Sequence, residues 1–227
     1  MNPLLDPAPA TAEEQAYRYL LGRIRMGELK PGDRVVPEEV AAEIGMSRMP
    51  VRDAFRRLAT QELLTIRPNR GAVVRGLDPA ELVEVFEMRA VLEGLAAASA
   101  MKAIGSAELK ELEHRLEMME ERADNVSDWV GAHRDFHLYL CSFSGKPRLL
   151  AQISALHLSI EPHMRLWLQA AAKPLSSHED HGLILDALKR RRPELVETVV
   201  RDHVCATIPD LLALMGAPHP GAGEESR

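Results

Sequence analysis

Residues 47–57 read SRMPVRDAFRR, and this short stretch decides what the rest of the chain can be. If it is a helix, one narrow stripe of it is apolar and consists of Val51, Ala54, Phe55 and Leu58. A different face carries three arginines at every fourth position and a methionine beside them: Arg48, Arg52, Arg56 and Met49. Such a helix suits the major groove of DNA. The alternative is a solvated arginine face on an ordinary surface helix.

The segments around this helix favour the first interpretation. We predict a helix over 13–26, a turn with a short extended segment over 27–35, and a second helix from Pro37 that stops at Gly45. Ser47 can cap the third helix. Two short extended runs, 63–67 and 72–76, flank the turn residues PNRG at 68–71 and predict a β-hairpin. Three helices and a hairpin over 11–76 make a winged helix-turn-helix.

The hairpin tip is basic. Arg67, Asn69 and Arg70 would place it against the phosphate backbone or in a minor groove, although hairpin tips are often merely polar. The net charge of the chain is −6, but the charge is unevenly distributed. Residues 44–75 contain seven arginines and only two acidic residues, Asp53 and Glu62, whereas residues 77–227 are strongly acidic. This distribution is typical of a DNA-binding module joined to an unrelated domain.

Composition limits the remaining possibilities. The chain has 227 residues, 46% of them hydrophobic and only 4% aromatic, which predicts a mostly α-helical protein with aliphatic packing. Two cysteines cannot form a disulfide framework, and no signal peptide or membrane span is evident, so we expect a soluble cytoplasmic protein. Residues 1–10 and 216–227 are expected to be disordered.

The first part of the chain resembles a known family. The motifs that carry the resemblance are GELKPGDRV (27–35), EEVAAEIGMSRMPVR (38–52) and RPNRG (67–71), which together are similar to the GntR-type winged-helix domain. The resemblance implies that Arg48, Arg52, Arg70 and Gly71 occupy DNA-contacting positions. Glu38 stands where relatives often have arginine, so no contact is assigned to it. The candidate DNA-binding residues are Ser47, Arg48, Met49, Arg52, Arg56, Arg67, Asn69, Arg70 and Gly71.

Every segment from 78 to 215 is predicted to be helical. Asp78, Pro79 and Glu81 form a capping-box-like start. The breaks between helices predict an antiparallel all-α bundle of about six helices, near 79–104, 106–123, 127–143, 147–171, 176–191 and 194–215.

Histidines provide the chemistry of this second domain. His133 and His137 lie four residues apart, a spacing at which two imidazoles can bind one metal. His181 and His203 are at similar distances from the turn at Arg192-Pro193, so an antiparallel helix pair would bring them to the same height. The alternative is that a chain with nine histidines contains such a pair by chance. His114, His157, His163, His178 and His219 are interpreted as surface or core residues.

This domain also resembles a known family. The stretches FEMRAVLEGLAAASA (86–100), HRDFHLYL (133–140), EDHGLILDAL (179–188) and VVRDHV (199–204) are similar to segments of the FCD domain of the FadR subfamily. The resemblance implies that His137, His181 and His203 are metal ligands. His133 stands where relatives usually have Asp or Asn, and histidine can serve as a ligand there too.

Imidazole ligands suit zinc, nickel, iron and copper, and suit manganese less well. A six-coordinate metal would leave two positions open for the carboxylate and hydroxyl of a small organic acid. Arg89 could pair with that carboxylate, although a surface ion pair with Glu93 is an equal alternative. Arg165 is a weaker candidate for the same role.

The sequence therefore predicts a transcriptional regulator that binds a palindromic operator as a homodimer and responds to a small carboxylate at a metal. Two alternatives remain open at this point: a metalloenzyme built on the helical bundle, and the same regulator with a purely structural metal. The chain has no H-E-x-x-H motif, nucleophile elbow or phosphate-binding loop. We therefore predict that it is not an enzyme.

Overall fold

The computed structural model describes residues 10–68, 70–171 and 178–216, without the side chains of 170, 171, 178 and 179. The chain divides into two compact units, one within residues 1–76 and the other within 77–227. The elements of the first unit are α1 (Ala12–Arg25), β1 (Arg34–Val35), α2 (Pro37–Glu43), α3 (Arg48–Thr60), β2 (Leu64–Arg67) and β3 (Gly71–Val74).

Helix α3 is the centre of the first unit. Its predicted apolar stripe is buried: Val51, Ala54, Phe55 and Leu58 are between 0 and 3% exposed. The stripe packs against α1, which buries Ala16, Tyr17, Leu20 and Ile24. The Tyr17 hydroxyl donates to Gln61 at 3.0 Å, and the Arg57 guanidinium lies 3.7 Å from the centre of the Tyr17 ring. These contacts fix the orientation of α3 on its supporting helix.

The turn from α2 to α3 depends on Gly45. Its φ of +64° lies in the left-handed region, and the amide of Met46 then donates to the carbonyl of Ala41 at 2.9 Å. Ser47 occupies the N-cap position of α3, as predicted, but its side chain makes no capping hydrogen bond. The helix begins at Arg48, so Pro50 is its third residue. Proline is tolerated there because the N–H groups of the first turn have no acceptor within the helix, and the missing N–H of Pro50 costs no hydrogen bond.

The wing is a three-stranded antiparallel sheet in the order β1-β3-β2. The predicted hairpin pairs Arg67 with Gly71 and Leu64 with Val74, and β1 adds a third strand that pairs Val35 with Ala72. Gly71 has a φ of +82°, and a Cβ atom built there would collide with the carbonyl oxygen of Val35. Only glycine therefore fits where β3 begins beside β1.

The second unit is all-helical within the described residues. Its helices are α4 (Pro79–Ala100), α5 (Ser106–Glu120), α6 (Val126–Ser142), α7 (Pro147–Ala171), α8 (His178–Lys189), α9 (Pro193–Ala206) and α10 (Ile208–Leu214). The predicted capping box of α4 is present, since the Asp78 carboxylate accepts from the Glu81 amide at 2.9 Å and the Glu81 carboxylate accepts from the Asp78 amide at 3.1 Å.

One element differs from the sequence prediction. The single helix expected over 194–215 is two helices, α9 and α10, with Thr207 between them. Pro209 lies in the first turn of α10 and has no N–H to donate to the carbonyl of Cys205. A continuous helix would lose that hydrogen bond, so the chain starts a new helix instead.

The core of this unit gathers side chains from all seven helices, among them Leu82, Phe86, Leu112, Phe136, Leu140, Leu168, Leu188, Val196, Val200 and Leu211. Helices α4 and α9 approach each other at Gly94. A Cβ atom there would lie 2.6 Å from Cγ of Arg201 and 3.0 Å from the carbonyl oxygen of Glu197. This approach brings α9, which carries His203, close to α4, which carries Arg89 and Glu93.

Candidate nucleic-acid interface and metal centre

The face of α3 opposite its buried stripe is exposed and basic. Met49 is 62% exposed, which is unusual for a large apolar side chain and leaves it available for contact. Arg48 lies 3.4 Å from Glu38, and Arg56 lies 2.6 Å from Asp53. Both pairs are exposed, so they hold the arginines only weakly.

Arg52 lies at the middle of this face. Its side chain is exposed, and it has no ion-pair partner within the part of the chain that the structure describes. An unpaired guanidinium on an exposed helix face has five N–H donors available, and two of them match the O6 and N7 acceptors of guanine. Of the arginines on α3, Arg52 is the one best suited to contact a base edge.

The wing adds exposed cations beside this helix within the same unit. Arg67 ends β2 and Arg70 precedes β3, and both side chains are exposed. The carbonyl of Arg70 accepts a hydrogen bond from Nε of Arg34 at 3.0 Å, which ties the tip to β1. Asn69 lies outside the described residues.

The four predicted histidines converge in the second unit. His133 and His137 come from α6, His181 from α8 and His203 from α9, and one nitrogen of each lies within 4.8 Å of those of the other three. The centres of the His181 and His203 rings are 4.4 Å apart, and those of His133 and His137 are 4.6 Å apart. Four imidazoles this close can hold one metal ion.

The cluster has a buried side and an accessible side. His137 and His181 are 1% and 0% exposed, and His133 is 7% exposed. His203 is less buried and lines a surface cavity of about 360 Å³ together with Asp180, Leu183, Val199, Asp202, Ala206 and Thr207. The rings of Trp129 and His133 stack with their centres 4.9 Å apart.

A carboxylate lies directly behind the cluster. Glu93 is fully buried, and its Oε2 lies 2.8 Å from Nδ1 of His137. Its Oε1 lies 2.8 Å from Nε of Arg89 and 3.0 Å from Nε2 of His157. The Arg89–Glu93 ion pair therefore exists, but it is buried rather than on the surface, because α4 turns this face into the core.

His157 and Arg89 also meet each other. Nη2 of Arg89 lies 3.3 Å from Nε2 of His157. Nε2 of a neutral imidazole can accept from Arg89 or, if it carries the proton, donate to Glu93. Nη1 of Arg89 is buried with no hydrogen-bond partner among the described residues.

Burial sets the charge state of these groups. Burial lowers the pKa of His133 and of His203 well below its ordinary value, and the neighbouring histidines lower both further. Burial also lowers the pKa of His157, to about 4. For Glu93, burial alone would raise the pKa, but the guanidinium of Arg89, followed by the adjacent His157 and His137 rings, outweighs burial and holds the pKa well below its usual range. His133 and His203 are therefore neutral imidazoles near neutral pH, and the carboxylate of Glu93 behind the cluster is ionised.

These features fit a metal ion. Neutral imidazoles offer lone pairs without first losing a proton. Nε2 of His137 is buried and has no hydrogen-bond partner within the described residues, a costly arrangement unless something binds it. The donor set is four nitrogens, which suits late transition metals.

Arg165 lies in a different polar network. It is 6% exposed, and its Nη2 lies 2.9 Å from Glu161, whose other carboxylate oxygen is 2.7 Å from Nη1 of Arg134. Nε of Arg165 is buried and has no hydrogen-bond partner in the described part of the chain. Arg165 and Arg89 are thus both buried arginines that have a guanidinium nitrogen without a hydrogen-bond partner among the described residues.

Sequence reasoning missed two residues of the site. Glu93 was considered only as a surface partner of Arg89, and His157 was assigned no role. The available signal was position on the helix: Ile153, His157, Ile160 and Met164 recur at helical spacing and form the buried stripe of α7. His114 is exposed and His163 is buried, while His178 has no described side chain and His219 lies outside the described residues.

Comparison with known proteins identifies the family of each domain. Residues 12–74 match the family described as bacterial regulatory proteins, gntR family, and residues 84–206 match the FCD domain. The chain is 34% identical over 202 residues to a protein of Paenarthrobacter nicotinovorans named "Probable D-xylose utilization operon transcriptional repressor", with 88% of each chain covered. It is 32% identical over 186 residues to the HTH-type transcriptional regulator McbR of Escherichia coli, covering 79% of this chain and 83% of the relative.

Solved structures of related regulators share the fold of this chain. The structure of E. coli McbR/YncC superimposes with a TM-score of 0.80 at 26% identity, over 90% of this chain and 99% of that one. A putative GntR regulator from Rhodococcus shares the fold, with a TM-score of 0.70 at 22% identity over 91% of this chain and 99% of that one. No helix in the described part of the chain is both long and apolar enough to cross a membrane.

Proposed function

The chain belongs to the GntR family of bacterial regulatory proteins and is a DNA-binding transcriptional regulator with an FCD domain, and we propose that a metal and a small carboxylate in that domain control its affinity for an operator. The observation that carries this proposal is the convergence of His133, His137, His181 and His203 in a chain that also has a winged helix-turn-helix.

The DNA contacts follow from the chemistry of α3 and the wing. Arg52 reads guanine in the major groove, with Ser47, Arg48, Met49 and Arg56 around it. Arg67 and Arg70 meet phosphates or a minor groove, where Gly71 keeps the start of β3 close to β1. Asn69 is included because of its place in the sequence.

The regulator acts as a homodimer on a palindromic operator, since two recognition helices about 34 Å apart reach successive major grooves. Met88, Val91 and Leu95 support this proposal: they lie on one face of α4 and are between 40 and 47% exposed. A contiguous apolar face of this kind is costly in water and is suited to covering by a second copy. A repressor of this type works on the chromosome and hence in the cytoplasm.

The metal ligands are the four histidines, with zinc, nickel or iron suited to four nitrogen donors better than manganese is. When bound, the metal supplies a Lewis-acid centre that can take carboxylate and hydroxyl oxygens. The chain's own residues orient the acid: the buried guanidinium groups of Arg89 and Arg165 each keep one donor without a partner among the described residues, and a carboxylate is a suitable acceptor.

The test combines metal analysis with DNA binding. Purified full-length protein is analysed for bound metal, stripped with a chelator and reloaded with zinc, and its operator affinity is measured with and without acetate, citrate and other small carboxylates. We expect a bound transition metal and at least one acid that changes operator affinity in the loaded protein alone. Operator affinity that ignores every acid while chelation unfolds the bundle supports the structural metal instead.

The relatives are transcriptional regulators, and this supports a regulatory role over an enzymatic one. Catalytic turnover of a small substrate by the zinc-loaded protein would favour the metalloenzyme. A metal-free protein that responds fully to an acid would contradict the metal's part in the proposal, while leaving the DNA-binding function intact.

A further inference from the structure

Among the described residues of the second unit, Glu93 is the most deeply buried carboxylate. It is 0% exposed, and three side chains from three helices reach its carboxylate. Arg89 approaches from α4 at 2.8 Å, His137 from α6 at 2.8 Å and His157 from α7 at 3.0 Å. An ionised carboxylate can only accept hydrogen bonds, so each of these neighbours is drawn to it as a donor or as a positive charge.

This contact favours one of the two nitrogens of His137 as the site of the proton. Nδ1 lies 2.8 Å from Oε2 of Glu93, although the angle there falls short of a hydrogen bond and Oε2 has no hydrogen-bond partner among the described residues. At this distance a lone pair on Nδ1 would face a lone pair of the carboxylate, so the contact favours the proton on Nδ1. In a neutral ring, a proton on Nδ1 leaves Nε2 with a free lone pair. Nε2 is buried and has no hydrogen-bond partner in the described residues. The ring of His137 lies 5.2 Å from that of His203 and 5.5 Å from that of His181, so it belongs to the cluster.

We propose that Glu93 is a positioning residue for the metal: it holds His137 in the tautomer and orientation that present Nε2 to the ion. The inference rests on the proposed metal site and adds the residue behind it. Carboxylates behind metal-binding histidines raise the basicity of the imidazole and fix its direction, and their loss costs about 10–100-fold in metal affinity.

Arg89 and His157 keep Glu93 in place. A lone carboxylate buried this deeply would be strongly disfavoured, and the guanidinium of Arg89 supplies the compensating charge. His157 contacts the same oxygen, Oε1, which leaves Oε2 directed at His137. His157 thus acts on the carboxylate and is not a fifth ligand. Nη1 of Arg89 is the donor proposed to bind the carboxylate of the small acid. Arg89 therefore connects the acid to Glu93, the residue that positions the metal ligand His137.

The experiment is a zinc titration of full-length protein in competition with a chromogenic chelator. We expect Glu93→Gln to weaken zinc binding by about 10–100-fold, because the amide lacks the charge that polarises His137. Glu161→Gln is the matched control. Glu161 is also buried and ion-paired, to Arg134 and Arg165, so its loss tests whether any missing buried carboxylate has the same effect. Its zinc affinity should stay within about threefold of the wild type.

A second measurement uses the unmodified protein and does not depend on a variant that folds. Nitrogen-15 NMR of the metal-free protein distinguishes the two neutral tautomers of each histidine. We expect His137 to carry its proton on Nδ1 and to keep that tautomer when zinc is added. In folded Glu93→Gln, the Nδ1 tautomer should lose its dominance, a change that simple destabilisation does not produce.

The outcomes separate this inference from the proposal on which it rests. If the wild type binds no zinc, nickel or iron at all, the metal site itself is wrong. If the wild type binds zinc and Glu93→Gln binds it equally well, Glu93 has no positioning role. An Nε2–H tautomer of His137 in the metal-free wild type overturns the inference even if Glu93→Gln cannot be purified.

Discussion

Gly94 of α4 lies directly beneath Arg201 of α9, so close that a Cβ atom on the glycine would come within 2.6 Å of Cγ of the arginine. Cγ is close to the backbone of Arg201 and moves only if the side chain changes its first rotamer, and the carbonyl oxygen of Glu197 would be 3.0 Å from the same Cβ atom. A larger residue at this position therefore requires Arg201 to change rotamer and α4 and α9 to move slightly apart.

We predict that Gly94→Ala lowers the free energy of unfolding by about 1–3 kcal/mol through overpacking, measured by denaturant unfolding. Gly131→Ala is the control, since Gly131 lies inside α6 with no atom within 4 Å of an added Cβ. That variant should be stabilised by about 0.5–1 kcal/mol, because alanine loses less backbone entropy in a helix. Stabilisation by both alanines would contradict the close approach of α4 and α9.

The wing offers a similar comparison. Gly71→Ala should weaken the first unit, because a side chain there meets both a left-handed φ of +82° and the Val35 carbonyl. Gly32→Ala has a φ of +92° but open space around the added Cβ, so it should cost only the strain of about 1–2 kcal/mol. Hydrogen exchange of the β3 amides measures both. Equal protection in the two variants would show that the collision is relieved at no cost.

The proposed DNA contacts differ in the property that each one controls. Arg52→Ala should cost about 1–3 kcal/mol on the operator and relax the base preference, whereas Arg70→Ala should reduce the salt slope of binding by about one. Arg18→Ala is the control, because Arg18 is 69% exposed on α1 and paired with Glu14. Affinity measured at several salt concentrations on operator and random DNA distinguishes these effects. Identical losses on both DNAs for Arg52→Ala would exclude base readout.

Acid should destabilise the metal-free protein. The pKa of folded His157 is about 4, below its unfolded value of about 6.5, so at intermediate pH the unfolded chain binds a proton that the folded chain does not. The contribution of His157 to stability is therefore fully present above pH 6.5 and is lost as the pH falls from there towards 4, by up to about 3 kcal/mol. His157→Gln should show a shallower loss between pH 7 and 5 than the wild type or His114→Gln, measured by urea unfolding.

Trp129 should report metal binding, because its ring stacks on that of His133. Coordination makes an imidazole more electron-withdrawing, so we expect zinc to quench the emission of Trp129. The chain has two tryptophans, and Trp167→Phe leaves Trp129 as the reporter. Trp129→Phe provides the control, since Trp167 stacks on His163 instead. Quenching that persists after His133→Asn would place the effect elsewhere.

Much of this structure could be predicted from local patterns. The helical spacing of Val51, Phe55 and Leu58 predicts α3, and the turn residues at 68–71 predict the hairpin. The convergence of His181 with His203 follows from their similar distances from the Arg192-Pro193 turn. These features depend on short-range chemistry, which a sequence displays directly.

Other features depend on long-range packing. The role of Glu93 requires three helices to surround one carboxylate, and the i,i+4 spacing from Arg89 is the same for a surface pair as for a buried one. Pairing of β1 with β3 joins residues almost forty positions apart, and strands of two residues have no periodicity to detect. The break at Thr207 is of a different kind, because the local signal of Pro209 predicts it without any information about long-range packing.

The four histidines of the candidate metal centre are unequally exposed, and this determines from which side solvent reaches the metal. His133, His137 and His181 are buried on the inner side of the site, and His203 borders the open cavity. An ion leaving the site, or a chelator arriving from solvent, meets His203 first. The rate of metal exchange should therefore follow the local opening of α9 rather than unfolding of the bundle. The lifetime of the bound ion then depends on α9, whereas its affinity depends on Glu93 of α4 and His137 of α6.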